Sequence, residues 1–103
     1  MKTKDARVVG EHEVTLPGEN IFEAIGFPEG EAAELMMRAQ LLDALTRWRR
    51  ESGITQMEAA KRLQVSQARI SDIERGKIHI FSLDTLVRYA QRAGLKPELK
   101  LAA

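Results

Sequence analysis

Amide, guanidinium and hydroxyl side chains are concentrated in one short stretch of the sequence, residues 66–72. Here Gln67, Arg69 and Ser71 alternate with small or apolar residues, and neither glutamate nor lysine is present. A helix that only faces solvent usually carries more charged residues of both signs. Amides, hydroxyls and guanidinium groups are also the donors and acceptors that match the edges of DNA bases. The composition of the stretch therefore predicts a surface that binds DNA.

Two short helices are predicted to position this stretch. Thr55 followed by Glu58 forms a capping box that starts the first helix, and Ser66 caps the second. Ala59 and Ala60 are small enough to let the two helices cross closely. A second helix held in this way can enter a major groove about 12 Å wide, although the pattern also fits a helical hairpin inside an all-α core. The residues expected to fix the crossing are Leu63, Val65, Ile70 and Ile73.

Further helices are predicted on both sides of this pair. Apolar residues at helical spacing indicate a long first helix over about 31–52, which Gly53 ends. A last helix is expected to begin at Ser82 or Leu83 and to end at Gly94. The residues expected on its inner face are Leu86, Val87 and Ala90.

The end of the chain has a different pattern. Lys96–Ala102 alternates polar and apolar residues, with Leu99 and Leu101 on one side, which predicts a short edge strand. The fold class is therefore expected to be all-α with a short C-terminal β-strand. Residues 1–19 are interpreted as an N-terminal arm, and residues 20–103 as the domain proper.

Residues that commonly support catalysis or metal binding are scarce. The sequence has no cysteine, and its two histidines, His12 and His79, lie far apart. No glycine-rich phosphate loop and no glycine-framed nucleophile is present. We therefore expect no enzymatic activity, no cofactor and no metal site.

Charge is distributed unevenly along the chain. Residues 1–30 hold three basic and six acidic residues, whereas the remainder holds 13 basic and 9 acidic residues. A basic body is compatible with binding of nucleic acid, although it also fits an ordinary solvated surface. No apolar run reaches the roughly 18 residues of a membrane span, so we expect a cytoplasmic protein.

The stretch from Gly53 to Lys77 resembles the Xre/Cro-type family of repressors. It follows the family pattern G-[LI]-[ST]-Q-x-E-x-A-x-x-L-x-V-S-x-x-x-[IV]-S-x-[ILW]-E-x-G-K, and the likeness extends over about residues 45–95. Asn20–Phe27 and Arg38–Leu42 resemble a narrower branch, the HigA-like antitoxins of type II toxin–antitoxin modules. The resemblance implies a lambda-repressor-like domain of about five helices with a helix-turn-helix.

The resemblance also implies roles for individual residues. Gln56 matches the family's phosphate-contacting glutamine, and Thr55 would offer its backbone N–H. Asp72 departs from the pattern, since an acid facing DNA needs a cytosine amino group or a neighbouring arginine as its partner. Expected base contacts are Gln67, Ala68, Arg69, Ser71 and Asp72, with Arg69 also within reach of phosphate. Expected phosphate contacts are Arg49, Thr55, Gln56, Ser66, Lys77 and Ser82.

Two protein partners are expected besides DNA. One helix contacts too few base pairs to specify a genomic site, so a homodimer on a palindromic operator is predicted, with Leu99 and Leu101 at its interface. The resemblance to antitoxins implies a toxin as the second partner. The residues expected to bind it are Ile21, Phe22, Ile25 and Phe27. A repressor without a toxin, or an RNA-binding module of the same fold, remains an alternative.

Overall fold

In a computed structural model the chain is described over residues 20–102, and these residues form five α-helices and one 3₁₀ helix. The predicted arm, residues 1–19, lies outside the described residues. The elements are α1 (Ile21–Ala24), α2 (Glu29–Ser52), α3 (Gln56–Leu63), α4 (Gln67–Glu74), the 3₁₀ helix (Ile78–Ile80) and α5 (Leu83–Arg92).

Helix α2 is the support against which α1, α4, α5 and the 3₁₀ helix pack. It begins at Glu29, two residues earlier than expected, because Pro28 occupies the N-cap position, where its missing N–H costs nothing. It ends where predicted, at Gly53, whose φ of 72° is a left-handed conformation that suits glycine. Trp48 of α2 is 8% exposed and belongs to the core.

Helices α3 and α4 form the predicted helix-turn-helix. Both hydrogen bonds of the capping box are present, since Thr55 Oγ1 accepts from the Glu58 N–H and a Glu58 carboxylate oxygen accepts from the Thr55 N–H. Ser66 Oγ accepts from the Arg69 N–H at 3.1 Å and caps α4. Ala59 is fully buried and Ala60 is 6% exposed, as a close crossing requires. The local signals therefore predicted this unit correctly.

One core joins α2 to the helix-turn-helix and to α5. Leu63 and Leu86 are its most completely buried large side chains. Arg92 of α5 donates a hydrogen bond of 2.8 Å to the Leu63 carbonyl oxygen, which satisfies one of the last carbonyls of α3. Other core members are Leu42, Leu45, Trp48, Ala59, Ala60, Ile70, Ile73 and Phe81.

Two predictions about the C-terminal part of the chain are wrong. Residues 95–102 contain no strand, and Leu99 and Leu101 are 68% and 82% exposed. A strand needs a second strand for its backbone hydrogen bonds, and residues 20–102 supply none. Val87 was expected on the inner face of α5 but is 38% exposed. The buried residues of this helix are Leu86 and Ala90.

The N-terminal segment folds back onto α2. Asn20 caps α1 through its side-chain oxygen and donates a hydrogen bond of 3.1 Å to the Ala32 carbonyl oxygen. Phe22 and Phe27 are half-buried and pack edge to face, with ring centroids 6.0 Å apart. Ile21 and Ile25 remain 60% and 67% exposed. The segment is thus anchored by its aromatic residues and leaves its isoleucines uncovered.

Across residues 20–102, none of the helices has both the length and the apolar composition needed to span a lipid bilayer.

Candidate DNA interface

Helix α4 presents a face that the core does not use. Ile70 and Ile73 are buried against the other helices, which directs Ala68, Ser71 and Asp72 to the opposite side of the helix. The five residues predicted to contact bases are brought together on α4. Gln67 and Ala68 are exposed, whereas Arg69, Ser71 and Asp72 are half-buried. With only eight residues and a free outer face, α4 has the dimensions that a major groove admits.

A chain of side-chain hydrogen bonds fixes the edge of α4 that faces α3. Gln67 Nε2 donates to Gln56 Oε1 at 3.4 Å, and Gln56 Nε2 donates to Glu74 Oε1 at 3.1 Å. Glu74 also accepts hydrogen bonds from Arg49 of α2. Of the residues joined by these hydrogen bonds, Gln67 is nearest the outer face of α4. Its side chain is therefore oriented through Gln56 and Glu74. We call these residues, Arg49, Gln56, Gln67 and Glu74, the glutamine network.

The ion pair of Arg49 and Glu74 anchors the glutamine network. The guanidinium uses Nε and Nη2 on the two carboxylate oxygens, with Nη2 to Oε1 at 2.9 Å, and Nη1 on the Ile54 carbonyl oxygen at 3.0 Å. Their side chains are only 20% and 10% exposed. Hydrogen bonding to Arg49 lowers the pKa of Glu74, and the same bond raises the pKa of Arg49.

This geometry changes the expectation for Arg49. The sequence placed it among the phosphate contacts, and three of its five N–H donors are engaged inside the domain with Glu74 and Ile54. Breaking the pair to contact DNA would leave Glu74 charged and without its main partner. The structure therefore favours a positioning role for Arg49, which connects α2 to α4.

The edge of α4 that faces α5 carries cations. Arg69 Nη1 lies 3.6 Å from Asp72 Oδ2, and Lys77 Nζ lies 3.3 Å from Asp72 Oδ1. The guanidinium carbon of Arg69 also lies 5.6 Å from the centroid of the Phe81 ring, a cation–π distance. Arg69 and Lys77 remain 43% and 48% exposed at their side chains. We call Arg69, Asp72 and Lys77 the cation cluster.

The helix N-termini expected to contact phosphate are capped by side chains. The Thr55 N–H donates to Glu58 Oε1 at 2.8 Å, so a phosphate contact through this N–H requires Glu58 to move away. Ser66 Oγ accepts from the Arg69 N–H, which leaves its hydroxyl proton available as a donor. Ser82 Oγ donates to Thr85 Oγ1 at 2.8 Å and accepts from the Thr85 N–H. Of the three, Ser66 is the one whose proton is free for a phosphate.

Three further residues belong to this surface. Glu74 holds both Arg49 and Gln56, and Phe81 supports Arg69. Arg75 is exposed at the C-cap of α4 and has no ion-pair partner among residues 20–102. Its position two residues before Lys77 could have indicated a second cation at this end of α4. The pairing of Glu74 with Arg49 spans 25 positions in the sequence, and no local pattern indicates it.

Within the described part of the chain no three acidic, histidine or cysteine side chains form a group that could hold a metal ion.

Comparison with known proteins agrees with this geometry. No curated protein is significantly similar to the chain. Residues 22–102, which include the glutamine network and the cation cluster, match a family described as a helix-turn-helix domain. The chain therefore belongs to this family of helix-turn-helix domains, which identifies it as a DNA-binding protein.

Proposed function

We propose that this protein is a sequence-specific transcriptional repressor that binds a palindromic operator as a homodimer. The observation that carries the proposal is α4, which carries Ser71 on its outer face and exposed Gln67 at the edge of that face, while its inner face is buried. Gln67 is held by Gln56 before any ligand binds, so its ordering costs little free energy on binding. Glutamine in this position pairs best with adenine in the major groove.

Geometry supports a dimer. Helix α4 has eight residues and is therefore about 12 Å long, which covers only three to four base pairs. Two copies on half-sites about 34 Å apart double the number of bases contacted. Leu99 and Leu101 are exposed at the end of the described residues, and packing against a second copy would cover them.

We further propose that the protein is the antitoxin of a type II toxin–antitoxin module and that it represses its own operon in the cytoplasm. Exposed Ile21 and Ile25 at the surface of α1 support a protein partner, because neither is covered by residues 20–102. The resemblance to HigA-like antitoxins names the class of that partner. The acidic first thirty residues would favour a basic toxin. The protein itself has no enzymatic role in this proposal.

DNA binding is tested by selecting duplexes from a random pool and measuring affinity for the enriched sequence. Gln67→Ala is expected to weaken binding of the selected duplex about tenfold, since a good base contact contributes roughly 1–3 kcal/mol. Gln91→Ala, which removes an exposed glutamine from α5, is the matched control and should bind like the wild type. Failure to enrich a palindrome, or equal binding of RNA hairpins, would contradict the proposal.

The antitoxin role is tested in cells by co-expressing the protein with the neighbouring gene of its operon. Wild type should co-purify with a small basic protein and relieve its toxicity, whereas Ile21→Asp/Ile25→Asp should lose both properties and keep DNA binding. Ile80→Asp, at another exposed isoleucine, is the control. A neighbouring gene that is harmless alone would leave a repressor without a toxin as the correct function.

A further inference from the structure

Asp72 is an acidic residue on the face of α4 that should meet DNA. Such a residue would be repelled by phosphate unless a cation neutralises it. Both of its oxygens face cations: Oδ2 lies 3.6 Å from Arg69 Nη1, and Oδ1 lies 3.3 Å from Lys77 Nζ. Its side chain is 21% exposed, far less than those of its two partners. The carboxylate is thus directed toward Arg69 and Lys77.

A second contact holds Arg69 independently of Asp72. The guanidinium lies over the ring of Phe81, and Phe81 is only 3% exposed. That ring is fixed in turn by Tyr89, which packs edge to face with a centroid distance of 6.3 Å. Because Phe81 directly precedes the N-cap of α5, this contact connects α4 to the start of α5. Its position is therefore defined by the fold as well as by the ion pair.

We propose that Asp72 is a positioning residue that keeps Arg69 and Lys77 in an internal ion-pair cluster until DNA phosphates replace it. The inference rests on the proposed DNA-binding function and adds a device for specificity. On random DNA, phosphates must compete with Asp72 for the two cations, so electrostatic attraction is weakened. On the operator, base contacts from the rest of α4 favour the docked position. In that position phosphates replace Asp72 as the partners of Arg69 and Lys77. Asp72 therefore lowers non-specific affinity more than operator affinity.

The inference replaces the expectation that Asp72 contacts a base. A carboxylate can accept a hydrogen bond from the cytosine amino group, but it would then have to leave one or both of its cations. The two interpretations differ in the effect that they predict for Asp72→Asn. A base-contacting role predicts a lost preference at one base pair, whereas a positioning role predicts a change in salt dependence on random DNA.

The test uses Asp72→Asn in the full-length protein. Dissociation constants are measured for a random-sequence duplex and for the selected palindromic duplex, between about 50 and 200 mM salt. Each cation released to phosphate steepens the plot of log affinity against log salt by about 0.9, so affinity at the low-salt end gains about 3.5-fold per cation relative to the high-salt end. We expect a steeper slope on random DNA and a smaller ratio of operator to random affinity. Asp72→Glu should restore the wild-type slope.

A double-variant cycle separates the effect on Arg69 and Lys77 from direct repulsion between Asp72 and DNA. In an Arg69→Gln/Lys77→Gln background, Asp72→Asn should no longer change the slope, because the cations through which Asp72 acts are absent. Asp43→Asn removes a carboxylate paired with Arg47 on α2 and is the matched control for net charge. Thermal unfolding of each variant verifies that the fold is retained.

Two results would overturn the role of Asp72. One is an Asp72→Asn effect of equal size in the background without Arg69 and Lys77, which would indicate direct repulsion. The other is a loss of preference at a single C·G pair without a change in slope, which would indicate a base contact. Wild-type protein that binds random and palindromic duplexes equally would instead overturn the proposed function itself.

Discussion

The two edges of α4 are held by different kinds of interaction. The edge toward α3 carries the glutamine network, whose ion pair has side chains 20% and 10% exposed and links α2 to α4. The edge toward α5 carries the cation cluster, in which the side chains of Arg69 and Lys77 are 43% and 48% exposed. Partly buried, bidentate pairs contribute more to folding than exposed ones. The comparison indicates that the first edge contributes more to the stability of the fold than the second.

The largest expected effect comes from breaking the first edge. Glu74→Ala leaves the Arg49 guanidinium without its carboxylate and should destabilise the domain by about 3 kcal/mol. Asp72→Ala at the second edge should cost less than about 1 kcal/mol, because its partners are exposed. Urea denaturation followed by circular dichroism measures both. Equal losses would show that the two edges do not differ in the way proposed.

Acid should weaken the first edge selectively. The folded protein lowers the pKa of Glu74 below its usual value of 4.5, mainly through the hydrogen bond from Arg49. A group whose pKa is lowered by folding stabilises the folded state above its unfolded pKa, and this stabilisation is lost as pH falls through the folded value. The contribution of Glu74 should therefore be constant near neutral pH and decline below about pH 4.5.

Glu74→Gln removes that contribution and serves as the comparison. Urea midpoints measured between neutral and acidic pH should decline less steeply for Glu74→Gln than for the wild type. Parallel curves for the two proteins would mean that the Arg49–Glu74 pair is not what acid disrupts.

A smaller effect is expected from Gln56, which transmits the order of the first edge to Gln67. Gln56→Ala should weaken binding of the selected operator by about 1 kcal/mol. In combination with Gln67→Ala it should add little, because both substitutions remove the same hydrogen-bonded pair. Fluorescence anisotropy with the four proteins of this cycle gives the coupling. Fully additive losses would mean that Gln56 contacts phosphate without orienting Gln67.

The smallest effect is expected in the turn that joins the two helices. Gln64 has a φ of 60°, a left-handed conformation that costs a residue with a side chain about 1 kcal/mol. Gln64→Gly should therefore stabilise the domain by about 0.5 kcal/mol, after the greater freedom of glycine in the unfolded chain is included. Thermal unfolding detects the change. The opposite substitution at the end of α2, Gly53→Gln, should destabilise the domain, because Gly53 is also in the left-handed conformation.

Features set by neighbouring residues were predictable from the sequence. The caps formed by Thr55, Glu58 and Ser66 and the end of α2 at Gly53 depend on contacts within a few residues, and all of them are confirmed. The placement of Ala68 on the exposed side of α4 follows from the helical repeat once Ile70 and Ile73 are buried.

Features set by distant partners were not predictable. The pairing of Arg49 with Glu74 and the support of Arg69 by Phe81 join different helices, so neither has a signature in sequence spacing. The strand expected at Lys96–Ala102 shows the same limit. Alternation of polar and apolar residues indicates which face of a strand could be apolar, but not whether a second strand is available to pair with it.

The length of α2 has a mechanical consequence. With 24 residues it measures about 36 Å, nearly the 37 Å of the longest dimension, so one continuous helix runs the length of the domain that residues 20–102 form. A tilt of about 5° at one end of such a helix displaces the other end by roughly 3 Å, the length of a hydrogen bond. A small tilt of α2 at the end that packs against α1 would therefore displace Arg49, near the other end, relative to Glu74.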